Sequence, residues 1–177
     1  LLDVLNYIDA SLSLANAVAV AEKETDTTPT EKQKEAGNYK KGHVQVGTFN
    51  ITIENPKGSV RSGIDTEGNK WETIMQNTYG YIRGTEGVDG DHIDVFLSDD
   101  IDGWNGRRVF VVDQYNEDGS FDEHKVMLGF NETDDAEAAY DADGALYGND
   151  EAACEDDTSD GEGYDDCLLY TSPSPRD

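Results

Sequence analysis

Short stretches in which apolar residues take every second position, each cut off by a glycine or Asx turn, fill the middle of this chain and point to β-structure. Val44, Val46, Phe49, Ile51 and Ile53 alternate with other residues except for a slip at Gly47-Thr48. The alternation predicts two strands joined by a turn, or one bulged strand, over 43–54. Residues 60–64 and 71–75 flank the turn sequence Asp65-Thr66-Glu67-Gly68-Asn69 and read as a hairpin, while 93–97, 108–112 and 125–130 supply further strands. Residues 133–140 begin with Asp134 and Asp135, acids that suit the positive end of a helix dipole, and predict a short helix. Many short strands with few helices predict a mainly β, α+β fold. The expected form is a small OB-like barrel of about five or more strands, closed or nearly so, with flanking helices.

Charge restricts where a core can lie. The 177 residues carry a formal net charge of -26, and the segment 131–166 is rich in Asp and Glu with no Lys or Arg. The core is therefore expected upstream of that segment. A field of this sign repels nucleic acid and anionic membranes, so no direct nucleic-acid contact is expected and an anionic ligand would need metals and local cations. Residues 1–23 are amphipathic, but Asp3, Asn6, Asp9 and Asn16 interrupt them and no basic segment precedes them. They fit neither a membrane span nor a secretory signal and read as the helical end of an upstream region. Residues 24–36 read as a linker with a short helical turn over 30–36, 37–147 as the domain, and 148–166 as an acidic disordered stretch. Residues 167–177 match the translation of a transposase-type sequencing adapter and are set aside from the fold. Cys154 and Cys167 make no disulfide framework, and a reduced cytoplasm is the expected compartment.

The chemistry concentrates in Val88-Asp89-Gly90-Asp91-His92-Ile93-Asp94-Val95. A turn at Gly90 would let Asp94 join Asp89 and Asp91, placing three carboxylates in one small volume. Crowded carboxylates repel one another unless a cation is present, and a hard divalent metal suits oxygen donors. Asp102-Gly103, Asp118-Gly119 and Asp143-Gly144 read as turn residues only. His92 and His124 are not expected as primary ligands, and Trp71 and Trp104 read as packing residues. Neither the run from Asp89 nor that from Asp141 meets the EF-hand pattern, which lowers a calcium-binding module as the alternative.

Tyr79-Gly80-Tyr81-Ile82 lies a short spacer upstream of Asp89-Gly90-Asp91, and with Asp113 and the run Asp122-Glu123-His124-Lys125 downstream it resembles the signature of soluble family I inorganic pyrophosphatases. Residues 37–130 are similar, more closely, to the inorganic-pyrophosphatase-like domain of polyvalent proteins from phages and conjugative elements, which implies the cytoplasm of a bacterial host. The resemblance implies hydrolysis of pyrophosphate by a magnesium-bound water, with several Mg²⁺ ions in a multi-carboxylate site. Asp89, Asp91, Asp94, Glu54 and Asp113 are then metal ligands, together with Asp122 or Glu123, and Asp91 is the residue expected to orient or deprotonate the water. Tyr79 and Lys125 are expected at the reacting centre, contacting phosphate, and Arg61 takes the place of the family's substrate-binding lysine. Lys70 or Arg83 would supply the charge of a family arginine that has no clear match here. His92 stands where the family has proline, and no Tyr-Lys pair follows Phe130. Lys40, Lys41 and His43 could replace those cations, although a basic cluster more often forms a solvated face. Tyr81 reads as a packing aromatic. A catalytically silent or differently specific diphosphate-binding domain is the alternative, since fold and partial motif do not determine activity.

Overall fold

The computed structural model describes residues 13–64, 68–115 and 119–143. The acidic stretch 148–166, the segment 167–177, residues 1–12 of the expected upstream segment and Asp118 lie outside the described residues. Helix α1 (Leu14–Glu24) and the single-turn α2 (Glu31–Glu35) precede β1 (His43–Val46), β2 (Phe49–Asn55), β3 (Val60–Ile64), β4 (Lys70–Ile74), β5 (Thr78–Ile82) and β6 (Asp94–Leu97). A 3-10 turn (Ile101–Gly103), β7 (Phe110–Tyr115), β8 (Phe121–Leu128) and helix α3 (Thr133–Asp143) follow. No described helix is long and apolar enough to cross a membrane.

The slip at Gly47-Thr48 is a two-residue hairpin turn, with Val46 opposite Phe49 and Gly47 at φ 59°. The strands order β1-β2-β5-β6-β8-β7 in one six-stranded sheet, and β3-β4 form a separate hairpin. The expected closed barrel is not formed. β1 and β7 end the order of a mixed, open sheet, in which only β6 and β8 run parallel. That parallel pairing requires the chain to cross over through β7 between them, and this places β7 outermost rather than beside β1.

Alternation divides the sheet into two faces. Ile51, Ile53, Val95, Leu97, Val126 and Leu128 face one core, and Val18 and Ala21 of α1 complete it. The segment expected as an upstream helix and linker thus shares the core: Ala15 donates its backbone N–H to Asp102 Oδ1 at 3.0 Å, and Thr25 Oγ1 donates to Ala21 O at 3.0 Å. Tyr79, Phe96, Phe110 and Met127 face the other core, which α3 covers with Ala136 and Ala139. Asp143, expected in a turn, is the buried end of α3, where its carboxylate accepts from Gln76 N and Asn77 N, both at 2.6 Å.

Candidate active site

The face that buries Phe96 and Met127 changes character toward the start of β6. Asp94 pairs across the sheet with Tyr81 on one side and Lys125 on the other. The parallel register is therefore what brings Lys125 to Asp94, 31 residues away in sequence. Lys125 is 3% exposed, and its ammonium donates to Asp94 Oδ2 at 2.5 Å and to Glu123 Oε1 at 2.6 Å. Tyr79, two positions along β5 from the residue opposite Asp94, donates its hydroxyl to the same Asp94 oxygen and accepts from the Arg61 guanidinium at 3.2 Å. The guanidinium carbon also lies 4.1 Å from the centre of the Tyr79 ring. Arg61, Tyr79, Asp94, Lys125 and Glu123 thus form one linked polar group over the second core.

Burial in that group moves proton affinities. Burial raises the Tyr79 hydroxyl well above its usual range; Arg61 opposes this, and the charge and hydrogen bond of Asp94 reinforce it. Burial also raises the Glu123 carboxyl; Lys125 opposes it, and the negative charges of Asp94 and Asp122 add to it. Burial by itself would lower Lys41, yet its hydrogen bond to Glu54 and the surrounding negative charge leave it raised. Tyr39 is raised by burial first and by Glu54 second.

A cavity of 650 Å³ opens beside the group. Of the residues named from the motif, Glu54, Arg61, Asp91 and Asp94 line it, and so do Lys41 and Tyr81. Glu54 falls at a bulge in β2, where the pairing skips between Ile53 and Asn55, and bulges re-aim side chains in this way. Gly80 between the two motif tyrosines has a steric cause: a Cβ there would lie 2.0 Å from Thr52 O on the neighbouring strand. Gly90 has a conformational one, with φ at 90° in the turn.

Other expected residues lie elsewhere. Asp89 is exposed, its carboxylate accepting from Asp91 N at 3.0 Å to stiffen the turn, and it does not line the cavity. Lys70 and Arg83 are exposed and away from the lining. Asp113 pairs with His124 at 2.7 Å, and by alternation both stand on the sheet face opposite Asp94 and Lys125. A second bulge separates Asp122 from Glu123: Asp122 is the extra residue there and accepts from Gln114 at 2.7 Å, leaving Glu123 beside Lys125, and neither lines the cavity. Tyr79 and Lys125 reach the cavity through Asp94 rather than lining it.

Two placements differ from the expectation. The Tyr79 ring is core, 3% exposed, whereas Tyr81 lines the cavity and stacks on His92 with ring centres 4.9 Å apart. Lys41, from the cluster read as a solvated face, has only 12% of its side chain exposed and holds Glu54 at 2.5 Å. The signal for Tyr81 was available in its alternation with Tyr79, which puts both on one face. None was available for Lys41, because its position depends on how the chain enters β1.

Among the described residues, no group of three or more His, Cys, Asp or Glu side chains is gathered closely enough to hold a metal ion. The residue types still suit a hard cation, since Glu54, Asp91 and Asp94 all line one cavity and carboxylates are the donors such a cation takes. Two of the three are engaged by ammonium groups, Glu54 by Lys41 and Asp94 by Lys125.

In a comparison with family models, the model described as Inorganic Pyrophosphatase matches residues 31–153. No curated protein and no solved structure matches the chain.

Proposed function

The chain belongs to the inorganic pyrophosphatase family, and from that membership we propose that its cavity binds pyrophosphate and hydrolyses it to two phosphates. The observation that carries the reading is Asp94: it lines a cavity shared with Glu54, Asp91 and Arg61, and two buried partners, Tyr79 and Lys125, hold its orientation. Magnesium takes one or two carboxylates together with water and phosphate oxygens, and Glu54, Asp91 and Asp94 are the lining residues that would supply them. The chemistry magnesium supplies when bound is neutralisation of the diphosphate oxygens and a lower pKa for water. Arg61 binds and orients a phosphoryl oxygen, since a guanidinium presents several N–H donors in a fixed plane. Asp91, exposed and on the lining, accepts the proton of the attacking water. Lys125 and Tyr79 are positioning residues that act through Asp94.

The test is phosphate release from pyrophosphate by the full chain at saturating magnesium. Activity is expected, and Asp94→Asn should abolish it with the fold retained. Wild-type protein that releases no phosphate removes the hydrolase reading. Faster release from nucleoside triphosphates than from pyrophosphate would assign a different substrate. A second reading, diphosphate binding without turnover, is favoured by the lysine pairing of Glu54 and Asp94. Binding of methylenediphosphonate with no phosphate release from pyrophosphate would select it.

A further inference from the structure

Lys40 and Lys41 are adjacent in sequence but differ in environment: Lys40 is exposed and off the cavity, while Lys41 lines it. The Lys41 ammonium lies 2.5 Å from Glu54 Oε1, 4.6 Å from the centre of the Tyr39 ring and 5.3 Å from that of Tyr81. Both rings also line the cavity. Two aromatic faces and a carboxylate restrict the lysine without using all three of its N–H donors, so it can hold Glu54 and donate to a further oxyanion together. The electrostatic need is evident from the lining, in which the carboxylates Asp26, Glu35, Glu54, Asp91 and Asp94 outnumber the cations Lys34, Lys41 and Arg61. An anionic ligand entering there needs a cation on each of its charged ends.

We propose that Lys41, framed by Tyr39 and Tyr81, is a binding position for one phosphoryl group of a diphosphate in this cavity. It is a substrate-binding residue supplied by the segment before β1, whereas Arg61 comes from β3. The proposal rests on the reading of the cavity as a diphosphate site. The competing role for Lys41 is a pin that only orients Glu54.

Calorimetric binding of methylenediphosphonate to the full chain separates these roles, in buffer with a chelator and no divalent cation. Lys41→Met should weaken binding by about tenfold or more, the loss of a charge-assisted hydrogen bond. Lys40→Met makes the same change in net charge one residue away and should leave affinity unaltered. Lys41→Arg should keep most of the affinity. Glu54→Gln should tighten binding, because it removes a competing carboxylate and frees the ammonium. Equal affinities of Lys41→Met and Lys40→Met overturn the proposal, as does weakening by Glu54→Gln to the same extent as by Lys41→Met, the signature of a pin. If Lys41→Met does not fold, the directions shown by Lys41→Arg and Glu54→Gln decide. If wild-type protein binds only with magnesium present, the Lys41→Met and Lys40→Met comparison in that buffer decides. Wild-type protein that binds no diphosphonate in either buffer overturns both this proposal and the diphosphate site. Binding that Lys41→Met leaves unchanged overturns this proposal alone.

Discussion

Tyr39, Lys41 and Tyr79 all bind their protons more tightly in the folded chain than their ordinary values allow. A group whose folded pKa is raised contributes stability that is whole below its unfolded value and is lost as pH rises through its folded value. The unfolded values are 10.0 for tyrosine and 10.5 for lysine, so stability should be level near neutrality and fall above about pH 10. Urea midpoints against pH, in metal-free buffer, check this, and Tyr79→Phe should remove part of the alkaline fall. A fall just as steep in that variant would contradict the role assigned to burial. The residue types at the site were legible because Tyr-Gly-Tyr and Asp-Gly-Asp are local patterns. The meeting of Tyr79 and Lys125 at Asp94 was not, since it depends on the pairing of β5, β6 and β8, and Arg61 reaches Tyr79 from the separate β3–β4 hairpin.

Gly80 and Gly90 separate two kinds of constraint on the elements. A methyl group at Gly80 would meet the β2 backbone at 2.0 Å, while one at Gly90 would meet nothing within 4 Å and strain only its own φ. Gly80→Ala should therefore cost about 3 kcal/mol or more and loosen the β2–β5 pairing, whereas Gly90→Ala should cost about 1–2 kcal/mol. Chemical denaturation measures both, and equal costs would contradict the close approach. Helix α3 is tied at its end by one buried carboxylate. Asp143→Ala should cost about 3 kcal/mol, through lost charge-assisted hydrogen bonds to Gln76 and Asn77. Hydrogen exchange at those two amides should then rise before exchange in β8. Most strands were legible because their apolar alternation is local. The bulges at Glu54 and Asp122 were not, since a bulge is defined only against the partner strand.

Across the whole molecule a net charge of -26 opposes compaction. Sodium chloride in the low range, where screening dominates, should raise the urea midpoint, and a flat response would show that the charges are too dispersed to matter. The sequence by itself determined the class of structure, the acidic segment, the family and a core of candidate residues, Glu54, Arg61, Asp91 and Asp94, because periodicity and motif spacing are properties of neighbours along the chain. Tertiary structure alone decided that the sheet stays open, that Asp113 stands on the far face while Glu123 joins Lys125, and that Lys41 enters the cavity. Each of those outcomes depends on strand order and register, which are set when distant segments bury their apolar faces together and no local pattern encodes.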